Sequence, residues 1–502
     1  MRHFFLALFC WLGLALAAHA AVDPALVKQL AAEESDDKIA AILQLAQTAD
    51  PEAAKLLQSL ADGTLKAEDG SEITLNNRVR GELANALAGL RLFDANAAVR
   101  RAAARELQSN VGLAMAPLLA RALEKESDAD IRELLVVAYA QANLASPDAT
   151  LRLAAVKALG ASPSRNARNL LLPLTSESGE PDTQVRNAAS QSLRAVESKL
   201  AIGENLGRVF TGLSLGSILL LAALGLAITY GVMGVINMAH GELLMVGAYA
   251  TYAVQGVFRN YLPGWLDAYV LAAIPVAFFS AAAVGVLLER TVIRHLYGRP
   301  LETLLATWGL SLILIQAARV LFGAQNVELA NPGWMSGSVT LMAGLVLPWN
   351  RIAIIAFSLL VLLLVWLLMN KTRLGMFVRA VTQNRAMAGC VGVHTARTDT
   401  LAFGLGAGIA GLGGVALSQI ANVGPDMGQG YIVDSFMVVV LGGVGQLAGA
   451  VWAALGLGIV TKILEGWSGA VIAKIAVLAF IVIFIQKRPQ GLFALKGRFV
   501  EN

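Results

Sequence analysis

The sequence predicts an all-α protein: a polytopic membrane bundle of about seven full spans and a broken, re-entrant helix pair, preceded by an extracytoplasmic helical-repeat domain. Three observations predict this. Of the 502 residues, 56% are hydrophobic and 15% charged, which is too apolar for a soluble protein of this length. Apolar runs long enough to cross a bilayer follow one another from residue 206 onward. Residues 21–205 are instead rich in Ala, Leu, Glu, Arg and Gln, which favour helices.

The composition argues against several classes of function. The net charge of +4 fits an inner-membrane protein with Lys and Arg in its cytoplasmic loops, and no basic patch interleaved with aromatic residues suggests nucleic-acid binding. The two cysteines, Cys10 and Cys390, cannot form a disulfide framework. The five histidines show no paired spacing, so we expect no metal and no cofactor.

Residues 1–20 have the pattern of a signal peptide. A positively charged start precedes a short apolar run, 4–17, which ends in the small-residue triplet 18–20. The run is shorter than the roughly 20 residues that a spanning helix needs, which argues against the alternative of a first membrane anchor. We therefore expect cleavage after Ala20 and export of the domain 21–205.

The domain 21–205 contains a degenerate repeat. An apolar residue followed by Arg enters an Ala-rich helix at Val99-Arg100, Ile131-Arg132, Leu151-Arg152 and Val185-Arg186. Aspartates that can cap a helix N-terminus precede three of these pairs, at Asp128, Asp148 and Asp182. The pattern resembles HEAT-like repeats, which stack helix pairs into a solenoid. Two interpretations stay open: a surface that binds another protein, or a helical domain with no partner outside its own complex.

The membrane part, 206–495, is followed by a short tail, 496–502. We predict full spans at 206–230, 238–258, 267–288, 303–322, 351–370, 399–421 and 470–486. Basic residues concentrate in the loop around Arg294, in the loop 371–398 and in the C-terminal segment with Lys487, Arg488, Lys496 and Arg498, which predicts that these three lie in the cytoplasm. The loop 323–350 has few charges and is predicted to be external. Counting spans back from the first basic loop places the N-terminal domain outside, in agreement with the signal peptide.

A further apolar stretch, 433–464, is interrupted by glycines and is too short for two full spans. We predict a broken or re-entrant pair that enters and leaves on the external side, with the break at Gly442-Gly443-Val444-Gly445. Broken helices mark substrate sites in transporters. A second candidate break is Asn237-Met238-Ala239-His240-Gly241-Glu242, because ionisable groups inside a membrane are costly and usually functional. The alternative for that segment is an ordinary cytoplasmic turn between two spans.

Glycine is dense in 404–414, and Gly404, Gly408 and Gly449 are predicted to let neighbouring helices approach closely. The basic loop 371–398 contains a predicted short helix, 376–388. Anchoring by positive charge explains its composition but not its length. We expect the loop to receive force from a separate motor, through Arg379, Asn384, Arg385, Gly389 and Gly392. The sequence has no phosphate-binding Gly-x-x-x-x-Gly-Lys-[Ser/Thr] motif, so ATP hydrolysis would require another polypeptide.

Two motifs resemble the hallmarks of branched-chain amino acid (LivH-like) ABC permeases. They are Gly-Val-Ile-Asn-Met-Ala-His-Gly-Glu-Leu at 234–243 and Val-Leu-Gly-Gly-Val-Gly-Gln-Leu-Ala-Gly at 440–449. The segment 424–440 is similar to the urea-type subgroup of that family, as are the signal peptide and the long extension. Met238 departs from the pattern, which has an aromatic or other bulky residue there. The resemblance implies a second related permease, two cytoplasmic ATPase subunits, a periplasmic substrate-binding protein and a location in the bacterial inner membrane.

We therefore expect a transport subunit, not an enzyme, that imports urea and depends on separate ATPase subunits. A small neutral solute needs hydrogen-bonding groups along its pathway, and the sequence offers Asn237, His240, Glu242, Gln419, Asp434 and Gln446. The alternative within the family is branched-chain amino acid import, which would require partners for an ammonium and a carboxylate. The alternative from another class is a membrane-anchored periplasmic scaffold or receptor, but seven or more spans with interrupted helices exceed what anchoring requires.

Overall fold

The computed structural model describes residues 24–32, 34–48, 50–66, 73–108, 111–162 and 164–493. The predicted signal peptide, 1–20, and the predicted tail, 496–502, lie outside the described residues. The chain divides into two compact units, Met1–Ile202 and Gly203–Asn502. This division lies close to the change of composition near residue 205.

The first unit is built from helices. Helices α1 to α9 are Pro24–Leu30, Ser35–Thr48, Pro51–Ala61, Asn77–Arg91, Ala97–Leu107, Ala116–Lys125, Ala129–Asn143, Ala149–Ala161 and Arg165–Leu171, and α10 is Thr183–Met233. Leucine, isoleucine and alanine side chains of successive helices form the core, in which Leu107, Leu119 and Ile131 are fully buried. Burial of these apolar faces stabilises helices that are too short to be stable alone.

The predicted aspartate caps are confirmed. Asp128, Asp148 and Asp182 each accept a hydrogen bond from the backbone N–H two residues later, at 3.0, 2.8 and 2.7 Å. Each bond satisfies a donor that has no partner within the helix. The helices that they cap are α7, α8 and α10.

Three of the four repeat arginines share one geometry. Arg100 and Arg152 each donate through Nη1 to two carbonyl oxygens of the preceding turn. Each also pairs with a buried carboxylate of a later turn, Glu126 and Glu180, both at 2.8 Å. Arg186 makes the same pair of carbonyl contacts. The degenerate sequence repeat therefore corresponds to a contact pattern that recurs along the unit.

The second unit contains the remainder of α10 and helices that are mostly longer. Helices α11 to α20 are His240–Tyr261, Tyr269–Thr291, Pro300–Phe322, Trp349–Lys371, Arg373–Gln383, Arg385–Cys390, Thr395–Ser418, Met427–Gly442, Leu447–Ser468 and Ala470–Lys487. Seven helices in the described part of the chain are long and apolar enough to cross a membrane: α10, α12, α13, α14, α17, α19 and α20. The predicted number of spans is confirmed.

The identity of the seven differs from the prediction in two places. The predicted span 238–258 corresponds to α11, which has 22 residues but is not among the seven. The predicted pair 433–464 corresponds to α18, of 16 residues, and α19, of 22 residues, so α19 alone is long enough to cross. The length of the two helices was underestimated because they extend beyond the apolar stretch 433–464. They begin at Met427 and end at Ser468.

The expectation of an all-α protein is wrong in one loop. Strand β1, Ser338–Met342, pairs antiparallel with β2, Leu345–Pro348, inside the loop predicted to be external. Gly344, at φ +82°, makes the tight turn between strands that carry Val and Leu. The turn packs on α10, where a Cβ on Gly203 would lie 2.0 Å from the carbonyl oxygen of Ala343.

Helix α17 forms the centre of the bundle, since 89% of its most apolar window is buried. Its glycines lie against the backbone of neighbouring helices: a Cβ on Gly414 would lie 2.1 Å from the carbonyl oxygen of Leu244 in α11. A Cβ on Gly404 would lie 2.9 Å from a methyl group of Val286, and one on Gly408 would lie 2.5 Å from the ring of Phe278. Side chains at these positions would separate α17 from α11 and α12.

Candidate functional site

The chain breaks between α10 and α11. Helix α10 ends at Met233 and α11 begins at His240, which leaves six residues without helical structure. Gly234, at φ +66°, redirects the backbone after the helix. The side chain of Asn237 then accepts a hydrogen bond from the N–H of Ala239 at 3.0 Å, which shapes the start of α11.

The residues that follow this break contact α10 well before its end and α13 at its midpoint. His240 Nε2 is 3.0 Å from the carbonyl oxygen of Ala222, which precedes the end of α10 by eleven residues, or about 16 Å along the axis. Glu242 Oε1 accepts a hydrogen bond of 2.9 Å from Ser311, at the midpoint of α13. The chain therefore turns back beside α10, and His240 and Glu242 lie among the neighbouring helices.

Three side chains at the break are buried with a polar atom unsatisfied. Asn237 is 2% exposed, and His240 and Glu242 are fully buried. Asn237 Nδ2, His240 Nδ1 and Glu242 Oε2 have no hydrogen-bond partner among the residues that the structure describes. Because an unpaired buried polar atom is costly, these atoms are positions where water or a solute would bind.

The start of α18 packs against the start of α11 at this break. A Cβ on Gly241 would lie 2.5 Å from the carbonyl oxygen of Gly428, and one on Gly428 would lie 2.4 Å from the carbonyl oxygen of Gly241. The same added atom on Gly428 would lie 2.7 Å from Glu242 Oε2. Helices α11 and α18 therefore meet backbone to backbone beside the unsatisfied carboxylate oxygen.

The second predicted break is confirmed. Helix α18 ends at Gly442 and α19 begins at Leu447. Gly443 and Gly445 adopt φ values of +101° and +76°, which favour glycine. A Cβ on Gly449 would lie 1.9 Å from the carbonyl oxygen of Gly442, so α18 and α19 run closely past each other on either side of the break.

A cavity of about 320 Å³ lies between α10, α18, α19 and α20 and contains charges of both signs. The Lys474 ammonium is 3.3 Å from the Asp434 carboxylate, and the Lys462 ammonium is 2.6 Å from the Glu465 carboxylate. Of these four residues, Asp434 was predicted from the sequence to lie on the pathway. The other three also interrupt apolar runs, and charges in that setting were a signal that would have identified them.

The structure does not bring the six predicted pathway residues into one site. Asn237, His240 and Glu242 lie together, and Asp434 lies in the charged cavity. Gln419 belongs to a separate polar cluster, in which its Oε1 accepts a 3.3 Å hydrogen bond from Tyr269 and its Nε2 donates to Ser418. The sixth, Gln446, precedes α19 at the second break and lines another cavity. The positions of these six residues along the sequence did not predict that they lie in separate sites.

The basic loop 371–398 forms α15 and α16. Asn384 caps α16 by accepting a 2.9 Å hydrogen bond from the N–H of Met387. A Cβ on Gly389 would meet no described residue within 4 Å, and Gly392, at φ +90°, ends the segment. Arg379 points toward α14, where its Nη1 donates to the carbonyl oxygen of Met369 at 2.7 Å.

The start of α16 is tied to α17 by an ion pair. Arg385 contacts the carboxylate of Asp399, which is fully buried. The Arg385 guanidinium also lies 5.1 Å from the centre of the Tyr297 ring, within range of a cation–π interaction. The coupling residue predicted from sequence thus has two partners that the sequence did not indicate.

A buried carboxylate, Glu289, organises the adjoining loop. It accepts hydrogen bonds from Arg294 at 3.2 Å, Tyr297 at 3.2 Å and Thr400 at 2.8 Å. The hydrogen bond with Glu289 raises the pKa of Arg294, and burial raises the pKa of Tyr297, so the guanidinium stays charged and the phenol stays neutral. The Tyr297 hydroxyl also contacts Met233 Sδ at 2.9 Å. The network therefore joins α17 to the end of α10, where the first break begins.

Comparison with known proteins establishes the family. The family profile described as branched-chain amino acid transport system / permease component matches residues 208–486. The chain belongs to this family. Both helix breaks, the charged cavity and the basic loop lie within the matched residues.

Three relatives illustrate the range of similarity. The high-affinity branched-chain amino acid transport system permease protein LivH of Escherichia coli (strain K12) is 30% identical over 301 residues, covering 57% of this chain and 94% of LivH. The corresponding protein BraD of Pseudomonas aeruginosa is 28% identical over 293 residues, covering 57% and 95%. The ribose import permease protein RbsC of Escherichia coli (strain K12) is 24% identical over 231 residues, covering 44% and 67%. No solved structure matches the chain.

The chain is thus a multi-pass inner-membrane permease component. The matched residues begin at 208, so the helices α1 to α9 lie outside the family match. LivH and BraD are nearly fully covered, whereas this chain has an additional N-terminal unit.

Proposed function

We propose that this chain forms half of the translocation pathway of an ATP-driven importer, together with a second related permease. The break, which lies beside Ala222 of α10 and the midpoint of α13, is the observation that carries this proposal. It holds three buried polar side chains, Asn237, His240 and Glu242, each with an unsatisfied atom. Interrupted helices in transporters present such groups to the solute. A helix bundle that only anchors a protein in the membrane would gain nothing to offset the cost of burying these polar side chains.

For the substrate, we propose a branched-chain amino acid. The relatives LivH and BraD carry this substrate class in their names, which favours it over urea. The cavity between α18 and α20 offers a carboxylate, Asp434, for an ammonium group and an ammonium, Lys474, for a carboxylate. Leucine, methionine and valine side chains line the same cavity and can contact an apolar side chain.

Urea is the second candidate, because the segment 424–440 resembles the urea-type subgroup. The cavity charges already lie in pairs, Asp434 with Lys474 and Lys462 with Glu465, so a neutral solute would leave no charge unbalanced. The unsatisfied amide of Asn237 would suit the carbonyl of urea, and the Glu242 carboxylate would suit its N–H groups.

The orientation follows the distribution of basic residues. We propose that the loop 371–398 and the C-terminus lie in the cytoplasm and that the N-terminal unit, exported by residues 1–20, lies in the periplasm. Two ATPase subunits would dock on α15 and α16, and a periplasmic binding protein would deliver the solute. The recurring arginine contacts of the first unit support a HEAT-like repeat domain that binds another protein.

Uptake measurements in the native host test the proposal. We expect deletion of the gene to abolish ATP-dependent uptake of labelled leucine at micromolar concentration, and we expect the full-length gene to restore it. Loss of labelled urea uptake with unchanged leucine uptake would support the second candidate. Unchanged uptake of both solutes, with other routes blocked, would leave the scaffold or receptor interpretation and contradict the transport proposal.

A further inference from the structure

A second cavity, of about 400 Å³, lies where the basic loop meets the membrane helices. Its walls are the last turns of α10 and α14, the inner face of α15 and the second break. The polar lining residues are Asn370, Arg379, Thr382, Gln383 and Gln446. Within the part of the chain that the structure describes, Arg379 is the one charged residue that lines the cavity, which gives this lining a net positive charge.

An apolar groove continues from this cavity along the bundle. The groove has a volume of about 410 Å³, and its lining residues are all apolar, contributed by α14 and α19. The cavity and the groove share Trp366, Leu447 and Ala448. From Asn370 to Leu359 the two extend over eleven residues of α14, or about 16 Å. The positively charged cavity is therefore continuous with the apolar groove.

We propose that the cavity and the groove bind an anionic phospholipid, with its phosphate on Arg379 and one acyl chain between α14 and α19. A guanidinium pairs with phosphate through parallel N–H donors, and the neighbouring amides add further donors. Basic pockets between helices at the cytoplasmic surface bind anionic headgroups. The assignment to the cytoplasmic leaflet rests on the orientation proposed above.

The geometry of Arg379 favours a lipid over a protein occupant. Its Nη1 is held by the carbonyl oxygen of Met369 at 2.7 Å and by Asn370 at 3.4 Å, which fixes the guanidinium at the cavity wall. Among the described residues, no acidic side chain lines the cavity to balance the charge, so an anion is the complementary ligand. In the groove, Trp366 and Trp452 are 50% and 67% exposed, as expected for a surface that contacts lipid. Arg379 thus has a role other than docking on an ATPase.

Native mass spectrometry of the full-length chain, purified with its partner subunits from membranes of mixed phospholipids, tests the proposal. The wild type is expected to retain phosphatidylglycerol in preference to phosphatidylethanolamine. Arg379→Gln is expected to retain roughly fivefold less, since a basic residue near the surface contributes about 1 kcal/mol to binding an anionic lipid. Ala448→Phe fills the junction of cavity and groove and is expected to lower retention without altering the charge.

Arg373→Gln is the matched control, because Arg373 lies on the same helix, α15, outside both linings. Its lipid retention is expected to equal that of the wild type, and excess inorganic phosphate is expected to leave the lipid bound. Equal retention of the two lipids by the wild type would overturn the proposal, as would unchanged retention in both variants. Cross-linking of Ala448→Cys to the second permease would also overturn it, since a protein would then occupy the groove. None of these readouts depends on which solute is transported.

Discussion

His240 Nε2 lies 3.0 Å from the carbonyl oxygen of Ala222, eleven residues before the end of α10. Since a carbonyl oxygen only accepts hydrogen bonds, Nε2 carries the hydrogen, and in the neutral ring Nδ1 remains an acceptor. That acceptor has no partner among the described residues. The contact holds the start of α11 deep among its neighbours and leaves one nitrogen available to a solute that donates a hydrogen bond.

The close approach of α11 and α18 predicts that Gly241→Ala destabilises the bundle. The added methyl group would lie 2.5 Å from the carbonyl oxygen of Gly428, and overpacking of this kind costs about 1–3 kcal/mol. We expect a lower melting temperature for the purified complex and reduced uptake. Gly256→Ala is the control on the same helix, because its added atom meets none of the described residues within 4 Å. Equal melting temperatures for the two variants would refute the backbone contact.

The ion pair at the start of α16 predicts a non-additive pair of substitutions. Arg385→Gln leaves the buried carboxylate of Asp399 without its partner, a loss of about 3 kcal/mol. The double variant with Asp399→Asn removes the unbalanced charge and is expected to recover part of the stability and of the ATP-driven uptake. Arg397→Gln, at an exposed position two residues away, is the control. A double variant as unstable as the sum of its single variants would argue against the pair.

The charged cavity predicts a specific change in amino acid uptake. Asp434→Asn leaves Lys474 unbalanced and removes the proposed partner of the substrate ammonium, so KM for leucine is expected to rise about tenfold, equivalent to about 1.4 kcal/mol. The control is Asp426→Asn at the start of the same helix, where Asp426 pairs with Arg319 at 2.8 Å outside the cavity. Leucine kinetics unchanged by Asp434→Asn would exclude the cavity from the route.

The first unit has a predicted pH dependence. The hydrogen bonds from Arg152 hold the pKa of Glu180 below its usual value of 4.5. A lowered pKa means that the carboxylate stabilises the fold above about pH 4.5 and that this contribution is lost as pH falls through the lowered value. Glu180→Gln is therefore expected to cost about 1.5–3 kcal/mol at pH 7 and progressively less at acidic pH.

Hydrogen exchange of α8 and α9, corrected for its intrinsic pH dependence, measures this difference. Glu177→Gln is the control, because the Glu177 side chain is 89% exposed and its carboxylate lies 3.7 Å from the Arg186 guanidinium. A Glu180→Gln effect that persists unchanged at pH 3 would show that lost packing, and not the charged hydrogen bond, destabilises the variant.

Much of the architecture could be predicted from the sequence. Apolar length identified the number of spans, and glycine spacing identified the break after Gly442. The caps at Asp128, Asp148 and Asp182 followed from the side-chain chemistry of helix starts. These features depend on residues within one or two turns of each other, so local patterns contain the information.

The site was predicted less completely because its contacts join distant residues. Glu289 and Thr400 are 111 residues apart, and Glu242 and Ser311 are 69 apart. The position of His240 beside Ala222 could not be predicted from the sequence either. Hydropathy gives the length of a helix but not which part of a neighbouring helix the next segment contacts. The hairpin at 338–348 was missed for a different reason: its strands are too short for alternation to distinguish them from a loop.

Transport by this chain requires the break at 234–239 to form part of the route, and substituted-cysteine labelling tests this directly. The variant Asn237→Cys would be made in a background with Cys390→Ser, because Cys390 is an exposed free thiol. We predict that a small thiol reagent labels position 237 in the assembled transporter during ATP turnover and that saturating substrate slows the labelling. A position 237 that stays unreactive during turnover, in a variant that still transports, would contradict the account.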